Sequence, residues 1–556
     1  MADKSSTVNL SGLDVERAKF MNKVNCLKGQ NVQEKPNIVV IMADDLGSFD
    51  LSLRGCNEIL TPNIDALGYQ GVIFNRHYTQ ALCTPSRAAF LTGKYPIHTG
   101  LQNLVILEDE PRGLPLTEKL LPQYLKEVGY KTHMVGKWHL GIAKKTFIPT
   151  KRGFDSYVGY LGPYIDYFDY TLYNPLRNLA RGFDFRRNES IYRDTVGQYV
   201  TDVFTDEASK TIRNHDPSQG PMFLYIAHLA PHAANQDDPL QAIPEDLATV
   251  THIKDPKRRY FAAMVKALDR SVGFVVEALQ EKDMLKNTII LFFSDNGGAT
   301  LGPLSVAASN YPLRGQKDGP WEGSVRNPAL IWSPLLQKRH YVSKHVIHIT
   351  DWLPTFVQAA GTISYKFQKL DGKDIWPTLS HNKSPLRREI LHNIDTIEGY
   401  SSYFRDGWKY INGTSRGGRY DGWLGNTTGI RCPENPFYPE LVMKSAVWKA
   451  LNPFALKSLN AKNIENIRDK TKIVCQKKIS PARECNPLRA PCLFYVDADP
   501  CEINNLAHFR PIRMQVMEKR LRSFQQTSLP PSNVAPDPAA NPALHGNIWT
   551  WWLGEE

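Results

Sequence analysis

Residues 36–47 of the chain, Pro-Asn-Ile-Val-Val-Ile-Met-Ala-Asp-Asp-Leu-Gly, decide the fold class. The continuous apolar run at 38–43 is typical of a strand buried on both faces of a parallel sheet. Two acidic residues, Asp44 and Asp45, follow at its C-terminal end. The stretch therefore predicts an α/β domain with polar side chains at the end of a buried strand.

The same pattern recurs along the chain. A helical apolar pattern at 118–128 precedes a strand at 132–135, a buried strand is predicted at 223–227, and an amphipathic helix at 260–280 precedes a strand at 289–293. Strands that alternate with helices imply a mostly parallel sheet covered on both faces. The polar residues that follow these strands are Lys137, His139, His228, His232, Asp295 and Asn296. We expect them around one crevice, because such sheets bind ligands at the carboxyl ends of their strands.

The character of the chain changes beyond about residue 390. Short aromatic strands at 402–405 and 408–411 are separated by Asp-Gly and Asn-Gly turns, which signal antiparallel hairpins. We therefore predict an N-terminal extension or leader at 1–35, a large domain at 36–390, and a smaller C-terminal antiparallel α+β domain at 391–556. The Pro-rich segment at 530–542 is expected to lie on the surface as a tail.

Hard oxygen ligands dominate the predicted crevice. Asp44, Asp45, Asp295 and Asn296 come from the ends of two strands far apart in sequence. Oxygen ligands of this kind suit calcium first and magnesium second, and they argue against zinc. Taken singly, an Asp at a strand end is as often a turn or cap residue.

Cys83-Thr84-Pro85-Ser86-Arg87 begins a predicted short helix that ends at Gly93. Thr84 is the predicted N-cap, with Pro85 at the first helical position. Cys83 would then lie where the helix N-terminus can hold an anion such as sulfate. The alternative for Cys83 is an ordinary disulfide partner, since the chain has eight cysteines.

Together these motifs resemble the formylglycine-dependent sulfatases, of the arylsulfatase B type. Besides 36–47 and the pentapeptide at 83, the resemblance rests on the segments 91–95, 136–141, 295–298, 312–317 and 321–323. It implies an alkaline-phosphatase-like fold: a large mixed, mostly parallel sheet sandwiched by helices. The implied activity is hydrolysis of sulfate esters of aryl or sugar compounds.

The resemblance also implies a nucleophile. A formylglycine-generating enzyme would oxidise Cys83 to an aldehyde, and one hydroxyl of its hydrate would attack sulfur. The second hydroxyl would expel sulfate as the aldehyde re-forms. Residue 83 would also contact the metal held by the four oxygen ligands.

Other positions acquire roles from the same resemblance. Arg87 would stabilise the hydrate, and Lys137 and Lys317 would bind the sulfate. His139 would hydrogen-bond the formylglycine hydroxyl, and His232 would protonate the leaving alcohol or phenol. His228 competes with His232, although the family pattern matches His232 better.

Composition restricts the partners. The chain has 556 residues and a formal charge of +11, which suits an anionic substrate. Its basic residues are spread out and no nucleic-acid motif is present, so nucleic-acid binding is not expected. No apolar stretch is long enough for a membrane span, so the protein is not expected to be integral to a membrane. The sequence does not indicate an oligomeric state.

Cysteine usage favours an oxidising compartment. Five of the eight cysteines fall after residue 430 without a zinc-site pattern, so disulfides are expected. Five N-glycosylation sequons occur, at Asn9, Asn188, Asn382, Asn412 and Asn426. These features predict a lysosomal or extracellular product of the secretory pathway, although residues 1–29 show no apolar signal region.

Two disulfides are expected. Resemblance to the relatives pairs Cys432 with Cys475, and the turn at 497–500 favours Cys492 with Cys501. Cys26, Cys56 and Cys485 are left unassigned.

The substrate side departs from the family pattern. Residues 156–174 carry seven aromatic side chains, and about half of them are expected to pack in the interior. The others would stack on sugar or aryl groups, with Tyr164 and Tyr167 as the candidates for discriminating leaving groups. The substrate class therefore stays open between glycosaminoglycan sulfates, small sulfated glycosides and aryl sulfates.

Two other functions remain possible from sequence. One is a phosphatase or phosphodiesterase of the same fold, although such relatives use Ser or Thr nucleophiles and histidine-bound zinc. The other is a non-catalytic sulfatase-like binding protein, which would predict damaged catalytic positions.

Overall fold

The computed structural model describes residues 35–554, apart from 178, 362–366, 368, 382, 385, 386, 426–431 and 480–483. Pro36–Glu556 forms one compact unit. The predicted domain boundary at residue 390 therefore stays a prediction. Cys26 and the sequons at Asn9, Asn382 and Asn426 lie outside the described residues.

Strands occur along the whole of this unit. They are β1 (Asn37–Ala43), β2 (Val72–Phe74), β3 (His77–Tyr78), β4 (Lys131–Lys137), β5 (Ser156–Tyr160), β6 (Thr171–Leu172), β7 (Gly182–Phe183), β8 (Arg186–Arg187), β9 (Ser190–Ile191), β10 (Met222–Ala227), β11 (Thr288–Ser294), β12 (Ala329–Trp332), β13 (Tyr341–Ser343), β14 (Ile347–His348), β15 (Glu389–Asp395), β16 (Tyr400–Arg405), β17 (Trp408–Asn412) and β18 (Cys492–Tyr495).

The α-helices alternate with strands in the first two thirds of the chain. They are α1 (Pro62–Gln70), α2 (Cys83–Thr92), α3 (Leu121–Glu127), α4 (Val200–Asn214), α5 (Pro244–Ala248), α6 (Pro256–Glu281), α7 (Glu322–Val325), α8 (Trp352–Ala359), α9 (Trp376–His381), α10 (Tyr438–Lys444), α11 (Ala446–Leu451), α12 (Ala461–Thr471) and α13 (Pro511–Gln525).

A ten-stranded mixed sheet forms the centre of the fold, in the order β13-β2-β12-β11-β1-β10-β4-β5-β8-β9. β1 pairs in parallel with both β10 and β11, and β4 and β5 extend the parallel region. β12 runs antiparallel to β11 and β2, and β8 runs antiparallel to β5. The predicted mixed, mostly parallel sheet is confirmed.

Helices cover this sheet. α6 packs against α1, α4, α5 and α11, while α2, α3 and α8 pack against one another. Residues 38–43 of β1 are all fully buried, as expected for a strand covered on both faces. The predicted helix at 118–128 is shorter in the structure, because the Glu118 amide closes a turn with the Pro115 carbonyl before α3 begins.

A second, four-stranded antiparallel sheet contains β15, β16, β17 and β18 in sequence order. Asp406 and Gly407 form the turn between β16 and β17 with φ angles of 50° and 83°, as a tight two-residue hairpin requires. α13 packs on β15, β16 and β17. The predicted C-terminal hairpins are therefore confirmed. In contrast, α10 and α11 pack against α1, a helix of the part of the fold built on the ten-stranded sheet.

The disulfide pairs differ from both predictions. Cys56 pairs with Cys432, Cys475 with Cys501, and Cys485 with Cys492. The predicted Cys432–Cys475 and Cys492–Cys501 pairs are therefore wrong. The physical reason is proximity in the fold: Cys56 lies 376 residues from Cys432 in sequence, but their Cα atoms are 4.7 Å apart.

The C-terminal tail follows the surface of the large layer. The Leu529 amide donates to the Ile97 carbonyl, and the Asp537 amide donates to the Asp109 carbonyl. Farther on, the Trp549 side chain is buried against Leu172, to whose carbonyl its Nε1 donates. In the described part of the chain, no helix is long and apolar enough to cross a membrane.

Candidate active site

Four adjacent strands bring most of the predicted site residues together. In the order β11-β1-β10-β4, each strand ends at the same edge of the sheet. Asp295 and Asn296 follow β11, Asp44 and Asp45 follow β1, His232 follows β10, and Lys137 and His139 lie at the end of β4. All of these side chains are buried. The structure therefore brings these residues together at one edge of the sheet, as the strand order predicted.

Cys83 is the first residue of α2, and its Sγ lies 3.5 Å from Oδ1 of Asp44. The predicted N-cap, Thr84, is wrong. Leu82 occupies the N-cap position and forms no side-chain cap. The Thr84 hydroxyl instead donates to the His139 carbonyl and accepts from the Ile106 amide. It therefore ties the start of the helix to two neighbouring loops. Burial raises the pKa of the Cys83 thiol.

Arg87 lies one turn along α2 and is completely buried. Its Nη2 is 2.8 Å from Oδ2 of Asp295 and 3.4 Å from Oδ2 of Asp44, and its Nη1 donates to the Lys137 carbonyl. One guanidinium thus connects the ends of β11, β1 and β4. Ser86 adds another link, because its hydroxyl donates to the Asp295 carbonyl.

Two lysines, the buried Lys137 and the partly buried Lys317, neutralise the two aspartates after β1. Lys137 Nζ is 2.5 Å from Oδ2 of Asp44, and Lys317 Nζ is 2.7 Å from Oδ1 of Asp45. Burial alone would raise the pKa of Asp44, but the charges of Lys137 and of the neighbouring cations lower it. Burial, followed by the charge of Asp44, raises the pKa of Asp295 to about 7. A further cation would relieve this repulsion among the carboxylates.

The donor set fits a hard divalent cation. One ligand atom each from Asp44, Asp45, Cys83 and His232 lies within 4.8 Å of the others. Oδ1 of Asn296 is buried without a hydrogen-bond partner, while its Nδ2 donates to Asp45 at 2.6 Å. An orphaned amide oxygen beside carboxylates is the kind of ligand that calcium or magnesium takes. Asp295 adjoins this group through the Asp45 amide, which lies 3.3 Å from its Oδ1.

Two of the predicted histidines, His139 and His232, hold defined orientations in the site. The neutral His139 ring has Nε2 3.0 Å from the Ile106 carbonyl oxygen, whereas its Nδ1 is buried without a partner. His232 has Nδ1 2.6 Å from the Ala233 carbonyl and Nε2 3.6 Å from Oδ2 of Asp45. Since a carbonyl accepts only from N–H, the protonated nitrogen of neutral His232 is Nδ1. Burial is the main reason that the pKa of His232 is lowered to about 4.

His228, the competing histidine, belongs to the interior. It is completely buried, and its Nε2 lies 3.0 Å from the Ser271 hydroxyl of α6. Burial lowers its pKa to about 3. Its contact with a helix in the core favours a packing role.

The aromatic segment is more deeply buried than expected. Tyr157, Tyr160, Tyr167 and Tyr170 have no exposed surface. The Tyr167 hydroxyl donates to the His232 carbonyl at 2.8 Å, so this residue is part of the support beneath the site. Tyr164 stays a candidate for contact with the leaving group, because its ring stacks on the His232 ring with centroids 6.0 Å apart.

Sequence analysis missed Glu108, which the fold places beside these residues. It follows Ile106, whose carbonyl and amide contact His139 and Thr84. The signal available in sequence was the run Glu108-Asp109-Glu110 between α2 and α3. Such a run usually indicates a solvated loop, yet all three side chains are buried.

Comparison with known proteins gives the family. The model of the family described as Sulfatase matches residues 36–362, more than half of the chain. The chain belongs to the sulfatase family. As a sulfatase it is a sulfuric ester hydrolase, and its family implies a metal ion and a formylglycine.

Individual relatives agree with this assignment. The sulfatase is 38% identical to mouse (Mus musculus) arylsulfatase J over 533 residues, which are 94% of this chain and 81% of that protein. It is 32% identical to human (Homo sapiens) N-acetylgalactosamine-6-sulfatase over 392 residues, covering 66% of this chain and 69% of that one. The crystal structure of Ps i-CgsB in complex with k-i-k-neocarrahexaose is similar at a TM-score of 0.68 and 28% identity, with 92% and 98% of the two chains covered.

Proposed function

We propose that this sulfatase hydrolyses sulfate esters of sugars through a formylglycine at position 83 and a bound calcium ion. The observation that carries the proposal is the position of Cys83, at the start of a buried helix and 3.5 Å from Asp44. Three cationic side chains surround the same carboxylates, as a sulfate-binding site needs. Solved structures of similar fold include that of BT4656 in complex with its substrate D-glucosamine-2-N,6-O-disulfate.

Residue 83, once oxidised and hydrated, supplies one hydroxyl as nucleophile and a second that lets the aldehyde re-form as sulfate leaves. Arg87 holds Asp295 and the end of β4 in place beside it. Lys137 and Lys317 are the donors for the sulfate oxygens. Their present partners are Asp44 and Asp45, so a substrate sulfate would compete for cations already directed into the site.

Proton transfer falls to the two histidines. His139 has a bare Nδ1, which can accept a hydrogen bond from a hydroxyl on residue 83. His232 faces the site with Nε2, the atom that would carry the proton to the leaving oxygen. The anionic sulfate favours that proton, because a nearby negative charge raises the pKa of a histidine.

Calcium is the proposed metal, with magnesium as the alternative. Asp44, Asp45, Asp295 and Asn296 would hold it, together with residue 83. When bound, the ion would polarise the sulfate oxygens and favour ionisation of the nucleophile. Oxygen donors dominate this set, and calcium accepts more of them than magnesium does.

A secretory origin is also proposed, in a lysosomal or extracellular product. Three disulfides join six of the described cysteines, and Asn412 of one sequon is exposed. Disulfides persist in oxidising compartments. The formylglycine-generating enzyme would act on the chain during its maturation there.

The test combines a mass measurement with two assays. Formylglycine lowers the mass of the peptide containing residue 83 by about 18 Da relative to cysteine. The modified protein should hydrolyse 4-nitrophenyl sulfate and leave 4-nitrophenyl phosphate almost untouched, while the Cys83→Ala protein should hydrolyse neither. Multiple turnovers by Cys83→Ala would refute the mechanism. Preferential hydrolysis of the phosphate would favour a phosphatase instead.

A further inference from the structure

A loop between α2 and α3 reaches the active site at Ile106. The Ile106 carbonyl lies 3.0 Å from His139 Nε2, and its amide donates to Thr84 Oγ1 at 3.1 Å. Both contacts are buried, so the backbone of the loop is held on His139 and on the start of α2. Glu108 follows two residues after this anchored position.

Glu108 is a buried carboxyl group with weak partners: the Asn174 side chain and the charge of Arg177 lie close enough to lower its pKa, against the larger effect of burial. Only 2% of the residue is exposed, and neither carboxyl oxygen forms a hydrogen bond of ordinary geometry. Its two acidic neighbours are paired: Asp109 lies 3.5 Å from Arg177, and Glu110 lies 2.6 Å from Arg112. Buried carboxyl groups normally form hydrogen bonds of ordinary geometry, so Glu108 is the member of this run with both oxygens still able to accept from a ligand.

The position of Glu108 relates it to the leaving group of the substrate. It lies close enough to Tyr164 for its charge to add to the effect of burial in raising the pKa of that phenol. Tyr164 in turn stacks on His232, the proposed proton donor to the leaving oxygen. Glu108 therefore belongs to the side of the site where the leaving group would lie.

We propose that Glu108 binds hydroxyl groups of the leaving sugar. It would make sugars that carry a single sulfate and no other anionic group better substrates than sugars with additional anionic groups. The inference rests on the proposed sulfatase function. The two oxygens of a carboxyl group can accept from two adjacent hydroxyls, which sugars offer and simple phenols lack. A second sulfate or a carboxylate on the same sugar would meet like charge in a buried site, where repulsion is poorly screened.

Burial also suits this carboxyl group to hydroxyl ligands. It is the main reason that the pKa of Glu108 is raised to about 7. Near neutral pH such a group can accept a hydrogen bond or donate one. Sugar hydroxyls do the same, whereas the repulsion of additional anionic groups requires the ionised carboxylate and should weaken below about pH 7.

The test compares Glu108→Gln with Glu465→Gln, a control on the exposed side of α12. The substrates are methyl glucopyranoside and galactopyranoside monosulfates, the matching disulfates, and 4-nitrophenyl sulfate. Glu108→Gln should lower kcat/KM for the preferred monosulfate by about 10- to 100-fold, the effect of losing a charged hydrogen-bond partner. It should change hydrolysis of 4-nitrophenyl sulfate less than about twofold and raise the disulfate-to-monosulfate ratio.

Binding separates this inference from the proposed function. Dissociation constants of the same esters would be measured on Cys83→Ala proteins with and without Glu108→Gln, where no turnover is needed. A monosulfate Kd that rises with Glu108→Gln supports the inference even if the enzyme hydrolyses no ester. Equal losses on sugar and aryl sulfates, an unchanged monosulfate Kd, or no binding of any monosulfate would overturn it. Glu108→Asp, which keeps the charge, should retain the preference for monosulfates over disulfates.

Discussion

Arg87 and Asp295 form a completely buried ion pair, with Nη2 of the arginine 2.8 Å from Oδ2 of the aspartate. The pair joins α2, which carries Cys83, to the end of β11, which carries the proposed metal ligands. Because the Arg87 guanidinium also contacts Asp44 and the Lys137 carbonyl, its position is coupled to the ends of β1, β4 and β11.

Removal of this arginine should affect both stability and activity. Arg87→Gln would leave buried carboxylates without their partner, so we expect a loss of about 3–5 kcal/mol in the free energy of unfolding of the metal-free protein. Urea unfolding monitored by fluorescence measures it. The exposed Arg510→Gln is the control and should change stability by less than about 0.5 kcal/mol. If Arg87→Gln lost no more stability than the control, the Arg87 charge would not be what stabilises the buried carboxylates of Asp44 and Asp295.

Metal removal should abolish activity reversibly. After chelation, calcium should restore hydrolysis of an aryl sulfate and zinc should not, because the donors are mainly oxygen. Calcium at 100 times its dissociation constant should stabilise the protein by about 2.7 kcal/mol. Asp295→Ala should lose this stabilisation and lower activity at least about 100-fold, as measured by thermal unfolding and initial rates. Stoichiometric zinc in the active protein would contradict this assignment.

The buried histidines should make the fold sensitive to acid. Burial lowers the pKa values of His77 and His228 to about 3. Between about pH 3 and 6.5 the unfolded histidines bind protons that the folded ones do not, so stability rises with pH in this window and is lost on acidification. Replacing His228 by Gln should reduce the slope of the unfolding free energy against pH by up to about 1.4 kcal/mol per pH unit. Urea unfolding at a series of pH values gives that slope, and an unchanged slope would show that His228 titrates normally.

Tyr164 and Tyr167 should respond differently to substitution. Tyr164→Ala removes a ring stacked on His232, which should change the ranking of sulfated substrates, with an effect of about 1 kcal/mol or several-fold in kcat/KM. Tyr164→Phe keeps the ring and should keep the ranking. Tyr167→Phe removes a buried hydrogen bond to the His232 carbonyl, so it should lower the rates on all substrates alike. Kinetics on the sugar and aryl sulfates used above distinguish the two patterns.

Local sequence patterns predicted much of the large sheet and of the site. The run at 38–43 and those at 223–227 and 289–293 are apolar throughout and too short for a typical helix, so they favour buried strands. Asp44 and Asp295 follow two such runs, and adjacency of parallel strands then brings them together. Asp45 and Asn296, the next residues in sequence, lie close to them for the same reason.

The failures share one cause, which is dependence on distant parts of the chain. Cys56 pairs with Cys432 because α10 and α11 pack on α1. No local sequence pattern predicts this contact between distant parts of the chain. Thr is a residue type favoured at N-caps, but the hydroxyl of Thr84 is engaged by the His139 carbonyl and the Ile106 amide instead. Glu108 was missed because a short acidic run usually indicates a solvated loop, and only the folded loop buries its side chain.

The burial of Cys83 has a consequence for the timing of biosynthesis. Only 1% of the residue is exposed once the sheet is complete, so the proposed oxidising enzyme would have to reach it while the chain is still open. β1, the central strand beside it, gains its partners β10 and β11 late, and β11 ends at Ser294. At about 5–20 residues per second, the roughly 200 residues between Cys83 and that point take about 10–40 s to synthesise. The long sequence separation of neighbouring strands thus leaves an interval in which the ribosome is still supplying the rest of the site.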